Sequence, residues 1–134
     1  MKISKNLIFS LLLLPLLSFT APTINAADGN WKKGRIYYRM VCTECHKSDA
    51  GGGEAISPAT RTKAEWATYF EADKHAKDTD YIKYYVSKEY RDSIKDSNKA
   101  ARKMAKKPSE TLLADVQAFV VHGAKDSDSP ARCD

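Results

Sequence analysis

Apolar residues recur at helical spacing in several stretches of this chain, and no run alternates convincingly with the period of two that marks a strand. In "KAEWATYFEADKHAK" Trp66, Tyr69 and Phe70 share one face, and Thr62 with Glu65 has the spacing of a capping box ahead of it. In "YIKYYVSKEYRDSI", introduced by Asp78 and Asp80, the residues Ile82, Tyr85, Val86 and Tyr90 recur in the same way. The last element, "ETLLADVQAFVVHGA", opens at Pro108 and Ser109, carries the stripe Leu112, Leu113, Val116, Phe119 and Val120, and stops at Gly123. An earlier helix runs from Trp31, capped by Asp28 or Asn30, into "VCTECH". Three consecutive glycines make "DAGGGEAIS", Asp49 to Ser57, a loop. The pattern predicts an all-α fold without internal repeats.

The first 26 residues stand apart. Lys2 and Lys5 precede an apolar run from Leu7 to Leu17, broken only by Ser10 and Pro15, and small or polar residues follow as far as Ala26. That is the layout of a secretory signal, cut after Ala26, and the run is too short to span a bilayer comfortably. Residues 27–125 then form one small domain, and residues 126–134, "DSDSPARCD", read as a flexible tail. Removing the leader with its two lysines lowers the net charge from +5 to +3. An exported, mildly basic chain with no basic stripe interleaved with aromatics is a poor candidate for nucleic-acid binding. Export to the periplasm, or beyond it, also makes oxidation the default fate of a thiol. The mature chain has no span to hold it in a membrane.

The chemistry concentrates in Cys42-Thr-Glu-Cys45-His46. A structural zinc site needs a second pair of ligands, and none follows at suitable spacing. A thioredoxin-like redox pair needs a strand before it and a sheet around it, whereas the run before Cys42 reads as helix. Cys-x-x-Cys-His is also the pattern that attaches a haem covalently. Cysteines three apart on a helix share a face, so both sulfurs reach one porphyrin, and the next residue turns its imidazole to the iron. Cys42 and Cys45 are then the thioether positions for one haem c, and His46 is the proximal iron ligand.

Around the motif, the mature chain resembles the class I cytochrome c family over nearly its whole length. Gly34 stands eight residues and Tyr38 four residues before the first cysteine, and "DVQAFV" offers Phe119 for a last helix that crosses the first at the glycine. Without a side chain there, two helix backbones approach closely. Pro58, twelve residues after His46, matches the proline whose carbonyl accepts a hydrogen bond from the ligating imidazole in that family. The resemblance implies a distal methionine shortly before the last helix, and Met104 in "KAARKMAKKPSE" lies there. Met104 is therefore the expected distal ligand, although its flanks are basic and alanine-rich where the family often has glycine and proline, a setting that also suits packing filler on a surface helix. His75 is the main alternative; His122 and Met40 are weaker ones, and an open sixth site is the remaining choice.

Trp66, Tyr69 and Tyr85 are the aromatics expected to touch the haem, although helical spacing suits ordinary core as well. The cluster Lys95, Lys99, Arg102, Lys103, Lys106 and Lys107 either steers acidic redox partners or is a solvated face. Cys133 is left over, its role open. The resemblance implies a monomeric one-electron carrier, not an enzyme, working in a periplasmic respiratory chain. A haem-based sensor or small-ligand binder with an open or labile sixth position is the alternative, and a subunit of a larger respiratory enzyme a third.

Overall fold

The computed structural model describes residues 28–47, 54–75 and 80–132. The leader, the glycine run, Asp78 and Cys133 lie outside these residues. Among them the architecture is helical: α1 is Trp31–Tyr37, α2 Thr43–His46, α3 Lys63–Ala72, α4 Ile82–Val86, α5 Lys88–Ile94, α6 Lys99–Lys103 and α7 Ser109–His122. A π-helical turn, Tyr38–Cys42, joins α1 to α2, and a 3-10 turn, Pro58–Thr60, precedes α3. The sole β-type pairing among the described residues is one isolated bridge between His75 and Asp80. No described helix is long and apolar enough to cross a membrane.

The first and last helices form the frame. At Gly34 an added Cβ would lie 1.9 Å from the Asp115 carbonyl oxygen, so backbone meets backbone at this crossing and only glycine fits. One turn on, the Tyr38 and Phe119 rings pack with centroids 5.4 Å apart. Just ahead of α1, the buried Asp115 carboxylate accepts from the Asn30 N–H at 2.7 Å, and its other oxygen meets the Lys107 ammonium at 2.8 Å. The expected α7 stripe is buried throughout, from Leu112 to Val120.

The caps follow the sequence. Asn30 accepts from the Lys33 N–H, and Thr62 and Glu65 form the reciprocal capping box of α3. The predicted helix over "YIKYYVSKEYRDSI" is instead two, because Ser87 takes an extended conformation (ψ 156°) and caps the second of them through the Tyr90 N–H. The C-terminal segment departs from the free end expected of it as far as Arg132. Ala131 bonds both to Gly123 and to Ala59, and the Asp126 carboxylate accepts from the Lys63 N–H at the start of α3.

A buried cation organises the back of the molecule. Arg91, fully buried in α5, donates to the Ser87 carbonyl, the Met104 carbonyl and the Ser109 hydroxyl. It thereby fixes the end of α6 and the start of α7 against α5. Met104 caps α6, and its side chain belongs to the main core cluster.

Candidate functional site

The run into the motif is where the α-helix widens. Residues Tyr38–Cys42 take the π form, and π turns inside helices recur at functional sites. The Tyr38 hydroxyl reaches across to the Ile56 carbonyl at 2.6 Å, and Thr43 bonds back to the Arg39 carbonyl at 2.6 Å. Cys42 emerges half-buried and Cys45 exposed. His46 closes α2.

His46 is pinned by the returning chain. Its carbonyl accepts from the Ile56 N–H at 3.1 Å, and its Nδ1 lies 2.8 Å from the Glu54 carbonyl oxygen. A carbonyl only accepts, so Nδ1 carries the proton and a neutral ring keeps its lone pair on Nε2, the form that ligates metals. The expected acceptor was the Pro58 carbonyl. That oxygen is engaged elsewhere, accepting from the buried Trp66 indole N–H at 2.8 Å. Glu54 takes its role, and Pro58 positions Trp66 instead.

The Nε2 of His46 meets the Nε2 of His75 at hydrogen-bonding distance, 3.3 Å, with the rings nearly perpendicular at 89°, and both rings line a cavity. The same cavity is lined by Cys42, Cys45, Trp66, Tyr69 and Tyr85, which brings the three expected aromatics together with the cysteines and histidine of the motif. His75 is half-buried. Burial, and then the neighbouring His46, hold its pKa below the usual histidine value against the opposing pull of Asp80.

The other distal candidates sit elsewhere. Met104 is not among the cavity's lining residues; it is buried at the far end of α6, its backbone held by Arg91. His122 stacks on Trp31 at 4.1 Å, and Met40 is exposed, its carbonyl accepting from Asn98. The surroundings of Met104 are those of a packed core side chain.

Arg61 was not expected at the site. Its guanidinium lies over the Trp66 ring at 4.9 Å and the Tyr69 ring at 4.7 Å, and it lines the cavity. Nothing in the sequence marks it, because its role comes from the aromatics of α3 folding back beneath it. Of the basic cluster, Lys107 is spoken for by Asp115 and Lys95 faces Asp92 at 3.4 Å, which leaves Lys99, Arg102, Lys103 and Lys106 exposed.

Among the described residues no group of three or more His, Cys, Asp or Glu side chains converges to hold a metal ion by itself. A haem asks less of the chain, since the porphyrin supplies the equatorial nitrogens. Two imidazole–metal bonds of about 2 Å each put the facing nitrogens about 4 Å apart, so the observed 3.3 Å opens to that span with a shift under about 1 Å. With both cysteines on the same cavity, the residues present fit a covalently attached haem. Set against models of known protein families, curated proteins and solved structures, the chain matches none.

Proposed function

We propose that this protein is an exported, monohaem c-type cytochrome of class I character that carries single electrons between partner proteins in a respiratory chain. The observation that carries the reading is the pair of facing imidazoles, His46 and His75, across a cavity that also receives Cys42 and Cys45. In this reading the cysteines bear the thioethers, His46 is the proximal ligand and His75, not Met104, the distal one. The bound haem supplies reversible one-electron chemistry. The chain's own residues do the rest. Trp66, Tyr69 and Tyr85 keep the cavity apolar, Glu54 fixes the His46 ring, and Arg61 offers a positive charge to a propionate. Ligation by two imidazoles, without a thioether, sets the potential below that of histidine–methionine relatives. The exposed cations of α6 suit an acidic redox partner.

One observation favours the sensor reading. His75 Nδ1 is buried without a hydrogen-bond partner, so this ring is less firmly oriented than His46 and more readily displaced by a small ligand.

The test is attachment. Protein exported from a host that matures c-type cytochromes should carry one haem that survives denaturation and adds one haem's mass to the chain. The Cys42→Ala/Cys45→Ala double variant should yield little stable protein, because so small a domain lacks the buried surface to fold without its haem. A well-folded, colourless double variant would sink the proposal.

A further inference from the structure

His75 reaches the cavity from a connection between helices, and its hold there differs from that of an ordinary axial histidine. Asp73 ends α3 in the left-handed conformation (φ 49°), and its carboxylate is tied to Lys83 by the backbone N–H at 3.1 Å and the ammonium at 3.2 Å. The chain therefore turns back before His75. The His75 N–H donates to the Asp80 carbonyl at 2.9 Å. Among the described residues the ring has no polar anchor other than His46, and its Nδ1 has no partner. What lies against it is the Tyr85 ring, at 4.9 Å and 53°.

Tyr85 is in turn immobilised from both ends. Its hydroxyl donates to Asp80 Oδ2, and its backbone carbonyl accepts from the buried Tyr37 hydroxyl at 2.5 Å. Asp80 is oriented by the Tyr81 N–H, which donates to its Oδ1 at 2.7 Å. One residue thus holds both the backbone of His75 and the phenol that backs its ring.

We propose that the Asp80–Tyr85 pair is the device that keeps His75 on the iron, with Tyr85 a positioning residue acting by its fixed ring in place of the missing Nδ1 hydrogen bond. The proposal rests on the reading of His75 as the distal ligand. Losing the hydroxyl frees the Tyr85 ring to move, and the imidazole loses the wall that resists its rotation away. Removal of a group that orients a metal ligand typically weakens the ligand by 10- to 100-fold.

Carbon monoxide reads the hold directly, because it binds ferrous haem only where the sixth ligand has left. In stopped-flow mixing, Tyr85→Phe should bind carbon monoxide about 10-fold faster than wild type, with an unchanged far-ultraviolet dichroism spectrum. Asp80→Ala should match it, and the Tyr85→Phe/Asp80→Ala double variant should be no faster than Asp80→Ala, since the two groups act as one unit. Asp80→Asn, whose amide oxygen still accepts from the phenol, should restore most of the wild-type rate. His75→Ala supplies the limit of a vacant site. Wild-type rates in Tyr85→Phe beside fast binding in His75→Ala would overturn the clamp and leave the ligand standing. Wild-type rates in His75→Ala would overturn the ligand itself. Tyr85→Phe removes a single oxygen and decides the matter alone if Asp80→Ala fails to fold.

Discussion

His46 and His75 face each other across one cavity, but the chain holds them by different means. On the His46 side the hold is continuous: the motif follows the π turn, α1 is locked to α7 at Gly34, and the ring and carbonyl of His46 are both hydrogen-bonded by residues 54–56. On the His75 side the proposed ligand stands between helices, its ring packed on Tyr85 and its Nδ1 without a partner among the described residues. A ligand with a hydrogen-bonded second nitrogen is oriented and strengthened; one without depends on its neighbours' packing. The His46 side is the firmer half of the cavity by this measure and the His75 side the more adjustable.

The sharpest way to break the firm half is at its crossing. Gly34→Val drives side-chain carbon into the Asp115 backbone, where nothing flexible can give way, and should cost more than about 3 kcal/mol, enough to prevent accumulation of folded protein. Ile36→Ala, on the exposed face of the same helix, should change the urea midpoint little, by less than about 0.5 kcal/mol. Equal behaviour of the two would refute the crossing. Next in size, Arg91→Ala removes a buried cation that bonds three acceptors, among them the Met104 carbonyl, and should cost about 3 kcal/mol in urea unfolding. Its haem spectrum should keep the wild-type ligand signature, because Arg91 bonds to neither His46 nor His75. A spectral change to an open sixth site would instead tie Met104 to the iron.

Smaller effects probe a helix cap and a charged surface. Thr62→Ala removes the α3 capping box that begins the route to His75, and should cost about 1 kcal/mol in thermal or urea unfolding. The smallest effect is kinetic: Lys103→Glu/Lys106→Glu should slow electron transfer to an acidic partner severalfold at low salt and converge with wild type as salt screens the field. Lys107 is left out of that test because its ammonium serves Asp115 in the frame. Equal rates at low salt would make α6 a solvated face and nothing more.

The same contrast governs what the sequence reveals. The firm half was legible: a five-residue motif, a glycine eight residues before it, caps at Asn30 and Thr62, and a continuous apolar stripe along α7 are all local signals with one physical meaning each. The adjustable half was not. Spacing along the chain favoured Met104 for the distal position, but position in space depends on Arg91 seizing the Met104 carbonyl from thirteen residues away and on Asp73 turning the chain back before His75. Neither closure leaves a periodic trace. The Pro58 carbonyl is a related case: it accepts from the Trp66 indole, while the His46 ring meets the Glu54 carbonyl, and nothing in the local sequence distinguishes the two acceptors.

The identity of the second axial ligand tests the account most directly. Low-temperature paramagnetic resonance of the ferric protein, with the visible spectrum alongside, should give a low-spin bis-imidazole signature without the far-red band of methionine–iron bonding. The signature should be lost in His75→Ala and unchanged in Met104→Ala. A methionine band in wild type that disappears in Met104→Ala while His75→Ala retains it would contradict the account.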